Sequence, residues 1–196
     1  MSNKELQEQR MRSYFIQATK DIIKGEGVKA LSVRNVAERA GYSYATLYNY
    51  FKHINELVFH CVNDFQEEIR EYVGQRRKKT DNSIESIKKS IELFVQFFIE
   101  YPGIFQLYYL NEVKDIGHNS STTSLIYFSL DDVCEIEFLD LVNENIYDAD
   151  HLEEIKRLIN SAITGALLFY LNRNNPQSYK KFKSIIKSHL ELIFTK

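Results

Sequence analysis

A chain of 196 residues with 7 Gly, 2 Pro and no Trp is long enough for one good-sized core or for a small domain on a larger one, and its few turn residues argue against a sandwich or barrel. Its 2 cysteines, Cys61 and Cys134, are too few for a disulfide framework, and neither they nor the 5 scattered histidines have metal-ligand spacing. The formal net charge of −2 hides an asymmetry: residues 1–60 hold nine Lys/Arg against six acids, and residues 61–196 hold sixteen against twenty-one, a mildly basic first part ahead of an acidic remainder, as a nucleic-acid-binding domain at that end would show.

In chain order, a first helix is expected from Lys4 to Lys24, with Met11, Tyr14, Phe15, Ala18 and Ile22 as its buried stripe and Gly25 and Gly27 ending it. Lys20, Lys24 and Lys29 read as solvated charges, with a phosphate contact for one or two of them as the alternative. A second helix runs from Ser32 to Ala40, carrying Val33, Val36, Ala37 and Ala40 on one face. Ser32 is its N-cap, Leu31 and Val36 form a hydrophobic staple, and Gly41 supplies a left-handed stop. Ser43 then caps a third helix, Tyr44 to Phe51, with Tyr42 and Leu47 again at staple positions.

Two short helices around a glycine turn have the geometry of a helix-turn-helix, and a plain helical hairpin has it too. The third helix favours the first reading. Ser43, Tyr44, Thr46, Tyr48, Asn49 and Tyr50 are hydrogen-bonding types with Leu47 as the one clear inward anchor, whereas a helix that only covers a core shows a wider apolar stripe.

A fourth, long helix is expected from near Glu56 to Arg76, with Leu57, Val58, Cys61, Phe65, Ile69 and Tyr72 inward. The run from Arg76 to Lys79 reads as a solvated helix end or as a second DNA contact. Asn82 and Glu85 make a capping box for a fifth helix bearing Ile84, Ile87, Ile91, Phe94, Val95 and Phe98. Pro102-Gly103 interrupts it, a short aromatic helix spans Ile104 to Val113, and Asp115 to Thr123 has loop composition. One helix is expected over Ser124 to Asn143. Another is opened by the Asp150/Glu153 capping box and carries apolar positions from Leu152 to Tyr170. A last one starts at Asn175-Pro176 and carries Tyr179, Phe182, Ile185, Ile186, His189, Leu190 and Ile193. No apolar run approaches a bilayer span and the N-terminus lacks a signal-peptide apolar region, so the expected location is cytoplasmic.

The run Ser32, Val36-Ala37, Ala40-Gly41-Tyr42-Ser43, Thr46-Leu47-Tyr48, Tyr50-Phe51 and Glu56-Leu57 is similar to the signature of the tetracycline-repressor-like (TetR) family of bacterial transcription regulators. The likeness in sequence covers about the first third of the chain. It implies an all-α fold in which an N-terminal three-helix head, residues 1–55, is joined by the long fourth helix to a helical ligand-binding and dimerisation body, residues 56–196. It implies a ligand-responsive DNA-binding regulator, most often a repressor released from its operator by a small molecule, and not an enzyme. One departure stands out. Ile54 occupies a position where the family usually has a phosphate-binding lysine, which shifts that role to Lys52 or weakens binding.

In that frame Arg34 is the strongest candidate for a base contact, because guanidinium pairs with guanine O6 and N7; the alternative is a surface arginine. Tyr44, Ala45, Thr46 and Asn49 would face the groove. Tyr48, Tyr50 and Lys52 suit phosphate contacts, with packing inside the head an equal reading for Tyr50. Ser32 and Ser43 complete the DNA-binding set. The resemblance implies a homodimer through the last two helices, for which Leu158, Ala162, Gly165, Ala166, Phe182, Ile186 and Leu190 are candidates; an ordinary internal core is the alternative. It also implies a pocket among Phe94, Phe98, Tyr101, Phe105, Tyr108, Tyr109, Tyr127, Phe128 and Phe169, side chains that could equally fill a core.

The expected partners are a pseudo-palindromic double-stranded DNA operator, a second copy of the chain and a small molecule of unread identity, with no metal, cofactor or membrane. Two rival readings stay open. One is a helical ligand-binding or enzymatic protein with a vestigial head, although no catalytic constellation is visible. The other is a DNA binder regulated without a small molecule.

Overall fold

The computed structural model describes residues 2–78, 80, 82–111 and 120–195, and at positions 120 and 121 the backbone alone. Among these residues there are helices and no strand. They gather into two compact units, Met1–Glu67 with Tyr101–Tyr127, and Glu68–Glu100 with Phe128–Lys196.

The first unit begins with α1, Asn3–Glu26, opened by a complete capping box between Ser2 and Glu5. Gly27, at φ +81°, ends it. A 3-10 turn, Val28–Ala30, leads into α2, Val33–Ala40, and α3, Tyr44–Tyr48. The long α4, Ile54–Arg76, enters the unit with Leu57. These elements close on a core of Phe15, Ala18, Ile22, Val36, Ala37, Leu47, Phe51 and Leu57. Two expectations for α1 change. Tyr14 lies outside the buried stripe, 52% exposed, and stacks on Tyr42 at 6.3 Å. Lys20 is buried rather than solvated: its stem lies along the unit and its ammonium meets Asp64 at 3.2 Å.

The unit is completed by α6, Pro102–Tyr109, and α7, Ser120–Tyr127. Pro102 sits in the first turn, where its missing N–H costs nothing. At Gly103, α6 touches the C-terminal part of α1 so closely that a Cβ would stand 1.8 Å from the Ile23 carbonyl oxygen. Further along α6, the Tyr108 hydroxyl donates to the Val62 carbonyl of α4 at 3.0 Å.

The second unit holds the rest of α4 with α5, Ser83–Glu100; α8, Ser129–Val133; α9, Glu135–Asn143; α10, Ala149–Arg173; and α11, Tyr179–Ile193. Its core joins Ile87, Ile91, Phe94 and Phe98 of α5 to Ile155, Ile159, Ile163 and Leu167 of α10 and Phe182, Ile186 and Leu190 of α11. Buried Glu137 accepts at Oε1 from Arg77 and from Ser90, each at 2.7 Å, while its Oε2 has no hydrogen-bond partner among the described residues. That pairing commits Arg77 to the body, and Arg76 lies over the Tyr72 ring at 3.8 Å. The basic run is therefore largely a helix end engaged with its own unit; Lys79 lies outside the described residues.

Several boundaries differ from expectation. The single helix expected over Ser124 to Asn143 is three short ones, interrupted at Phe128 and Cys134. Of the expected loop 115–123, residues 120–123 are helical and 115–119 lie outside the described residues. Asp148, not Asp150, caps α10 by accepting from the His151 amide at 2.8 Å. Pro176 lies ahead of α11, whose N-cap is Ser178, because that serine can accept from the Lys181 amide.

Asp131 of α8 has its pKa raised from 3.8 to about 6, first by burial and then by Glu153, with Lys156 opposing. The native state thus holds this proton more tightly than the unfolded chain, and ionisation destabilises the fold as pH rises from 3.8 through about 6. Asp131→Asn, which preserves an acceptor for Asn160, is expected to stabilise by about 1 kcal/mol near neutral pH after allowing for solvent screening. Denaturant titrations should show that gain vanishing as the pH falls below 3.8.

Candidate nucleic-acid interface and ligand pocket

The α2–α3 corner is built from its caps. Ser32 Oγ accepts from the Asn35 amide at 3.1 Å, Gly41 takes the left-handed conformation at φ +78°, and Ser43 Oγ accepts from the Thr46 amide at 3.1 Å. Val36, Ala37 and Leu47 are the buried pegs of the corner. With Leu47 inward, α3 turns Tyr44, Ala45, Tyr48 and Asn49 outward; Tyr44 is 66% exposed and Tyr48 51%. Helix α3 ends at Tyr48, three residues earlier than expected. Asn49 and Tyr50 then bond back to Thr46 and Leu47 in a tightened last turn.

Each sequence candidate can now be placed. Arg34 and Lys52 are exposed, with no ion partner among the described residues. Thr46 is half-buried, its hydroxyl 2.9 Å from that of Ser43. Ser32 and Ser43 spend an oxygen on capping. Tyr50 is half-buried against the head core, with its ring 6.1 Å from Phe15. The exposed Tyr14–Tyr42 stack beside this face was missed from sequence, because position 14 fits the apolar spacing of α1 and the aromatic that draws it outward comes from the turn.

Arg12 clasps the far end of the reading element. Its guanidinium lies 4.1 Å over the Phe51 ring, donates to the Tyr50 carbonyl and reaches Glu56 at 3.0 Å, with the His60 ring at 3.3 Å. Burial tends to raise the Glu56 pKa. Hydrogen bonds from Arg12 and the Lys52 amide, with the Arg12 and His60 charges, outweigh it and hold the carboxyl below the usual 4.5. A depressed carboxylate stabilises above its unfolded pKa and loses that contribution as pH falls through the folded value. Thermal melts should therefore show Glu56→Gln less stable than the parent at neutral pH, with the gap closing below 4.5.

Within the first unit, Tyr108, Tyr109, Asn111, Thr122, Ile126 and Tyr127 line a cavity of about 300 Å³, with Thr123 at its edge. Among the described residues, no charged side chain lines it. Thr122 is 1% exposed and its hydroxyl has no hydrogen-bond partner among the described residues. Of the nine aromatics expected in a pocket, Tyr108, Tyr109 and Tyr127 border this cavity. Tyr101 lies under Lys24 at 5.1 Å, and Phe105 is fully buried in the same unit. Phe94 and Phe98 meet edge to face at 5.0 Å in the core of the second unit, where Phe128 and Phe169 are exposed. Asn111, Thr122 and Ile126 were missed, because an aromatic census does not register small polar linings.

The expected dimer residues also divide. Leu158 is 58% exposed and Ala162, Gly165 and Ala166 are half-buried, whereas Phe182, Ile186 and Leu190 are buried in their own unit. On α11, Leu192 and Tyr179 are exposed, and Ile185, His189 and Ile193 are half-buried. Leu158, Ala162, Gly165 and Phe169 on α10, and Ile185, His189 and Leu192 on α11, fall at alternating four- and three-residue steps. That is the spacing of a helix–helix seam.

Residues 15–61 match the model of the bacterial regulatory proteins of the tetR family. An uncharacterised HTH-type transcriptional regulator of Haemophilus influenzae is 30% identical over 77 residues, which are 39% of this chain and 38% of that protein; the match thus spans well under half of that relative. Among solved structures, the RolR complex with its ligand resorcinol superposes with a TM-score of 0.68 at 15% identity, over 95% of this chain and 89% of that one. A tetR-family transcriptional regulator from Streptomyces coelicolor gives 0.71 at 14%, over 95% and 82%. Thermus thermophilus FadR, a TetR-family repressor in complex with lauroyl-CoA, gives 0.66 at 13%, over 93% and 92%. At these identities the structures share the fold, and the head shares the family's sequence pattern. Residues 15–61 thus carry the sequence pattern of the bacterial regulatory proteins of the tetR family, and the chain around them has the helical fold of the solved TetR-family structures.

Proposed function

We propose that the protein is a dimeric, ligand-responsive transcription regulator, a repressor whose head, residues 1–55, reads an operator and whose body, residues 56–196, binds a second copy and a small molecule. The observation that carries this reading is the outward α3 face of Tyr44, Ala45, Tyr48 and Asn49, flanked by Arg34 and Lys52, which have no ion partner among the described residues, on a head with its own packed core. Asn49 suits adenine, Ala45 a thymine methyl and Arg34 guanine, while Tyr48 and Lys52 suit phosphate. One such helix spans only a few base pairs, so useful affinity requires the pair of heads that a two-fold dimer supplies. The exposed seam of α10 and α11 supports that dimer.

The small molecule belongs in the cavity beside Tyr108. A lining without charge among the described residues, three tyrosine rings and a Thr122 hydroxyl without a partner among them fit a small, neutral ligand about one ring in size that offers a hydrogen bond; RolR's resorcinol is of that kind. A ligand there would press on Tyr108, whose hydroxyl holds the Val62 carbonyl of α4, and α4 reaches the head core five residues earlier at Leu57. The same α6 meets α1 at Gly103. Release of DNA then depends on the ligand's difference in affinity between the DNA-bound and relaxed positions of these helices.

Binding titrations over a salt series test the head. Lys52→Ala is expected to weaken binding to all sequences and lower the salt slope by roughly 0.9 for each phosphate left without its cation. Arg34→Ala should relax preference at a single base pair. Uniform weakening by Arg34→Ala would remove it from the base-reading set.

A further inference from the structure

Charge in the second unit is segregated along the chain. Residues 131–154 carry 10 Asp/Glu and no Lys/Arg, and residues 155–190 carry 7 Lys/Arg and no acid. The segregation reaches two surfaces. On α9, Glu135, Ile136, Leu139 and Asp140 share the outward face: Ile136 is 54% and Leu139 56% exposed, and both acids are exposed without an ion partner among the described residues. Between α5 and α11 lies a groove of about 660 Å³ whose floor includes Val95 and Ile186 and whose α11 wall carries Lys180, Lys183 and Lys187. Lys183 lies 4.9 Å from the Tyr179 ring, and none of the three lysines has an ion partner among the described residues. Glu92 on the α5 wall is the one acid among the described lining residues, which leaves them with a surplus of positive charge.

We propose that this groove receives helix α9 of a second copy, so that dimers associate through a contact separate from the α10/α11 seam. The two surfaces match in character, an apolar pair between two carboxylates against an apolar floor beside three ammonium groups. They match in scale as well, since Glu135 to Asp140 spans about 7.5 Å of helix and Lys180 to Lys187 about 10 Å, a difference that flexible lysine stems absorb. Because the acidic and basic surfaces are different patches, the contact is heterologous and does not close at two copies; each dimer presents two α9 helices and two grooves. A contact this small belongs to the weak, transient class, so it acts where dimers are already crowded, and its ion pairs make it salt-dependent.

Sedimentation velocity of the full chain over a concentration series, at about 20 and about 500 mM salt, reads the contact directly. At low salt, species larger than a dimer should grow with concentration; at high salt they should disappear. Lys183→Glu and Asp140→Lys are each expected to raise the dissociation constant of the larger species by roughly tenfold, and the two together should restore most of it. In a Leu158→Glu background, where the seam is broken, the salt-dependent association should persist. The proposal is overturned if the parent protein stays a dimer at low salt, if Lys183→Glu leaves the dissociation constant of the larger species unchanged, if high salt does not diminish them, if the paired charge exchange recovers nothing, or if Leu158→Glu abolishes the association. A parent protein that associates as expected but is built from monomers would contradict the seam and leave the groove contact standing.

Discussion

Leu158→Glu is expected to yield a folded monomer that has lost its hold on the operator. Leu158 is 58% exposed in the single chain and heads the α10 seam that continues through Ala162, Gly165 and Phe169. A two-fold interface uses the same patch on both copies, so a single substitution places two carboxylates in one apolar interface, where burying an unpaired charge is costly. The fold of the chain itself should survive, because Leu158 contributes little to the core that Ile155, Ile159 and Ile163 make on the neighbouring face. Losing the dimer removes the second head, and with it the effective concentration that makes two weak half-site contacts act as one. The apparent affinity for a two-half-site operator should fall by on the order of 10² to 10⁴. Light scattering checks the mass and fluorescence anisotropy the affinity. A dimeric Leu158→Glu protein with full DNA affinity would move the interface elsewhere.

Gly103→Ala should have the largest effect on stability of any single methyl. A Cβ at position 103 would lie 1.8 Å from the Ile23 carbonyl oxygen, 3.0 Å from its carbon and 3.2 Å from the Gly27 Cα, all backbone atoms of a helix end that has no rotamer to give. Relief requires α6 to lift from α1, which uncovers Ile104 and Phe105. The expected loss is about 3 kcal/mol, or roughly 6–12 °C in Tm for a chain of this size. The displaced α6 carries Tyr108, so the variant should also respond weakly to any ligand of the cavity. Gly165, with open space around its position in the single chain, serves as the control: Gly165→Ala should leave monomer stability nearly unchanged while testing how closely the seam packs.

The head was far more legible in the sequence than the body, for a physical reason. Its elements are short and each is fixed by a local device: Ser32 and Ser43 cap, Gly41 stops, and Leu47 anchors, all readable within four residues. Where a partner comes from elsewhere in the chain, legibility failed. Lys20 looked solvated because Asp64 lies forty-four residues away, and Tyr14 looked buried because its partner Tyr42 comes from the turn. In the body, the α10 and α11 stripes were seen but not divided. Phe182, Ile186 and Leu190 face the unit's own core and Ile185, His189 and Leu192 the outside, a distinction of one helical step that hydrophobicity alone does not draw. The cavity was half found: Tyr108, Tyr109 and Tyr127 stood out as aromatics, whereas Thr122 matters because its buried hydroxyl lacks a partner among the described residues.

Selection of the purified protein against a random double-stranded DNA pool at low salt tests the central claim most directly. The account predicts enrichment of one sequence with two inverted half-sites, bound by the dimer and released as salt rises. Failure to enrich any sequence, or enrichment of a single half-site held equally well by the Leu158→Glu monomer, would contradict it.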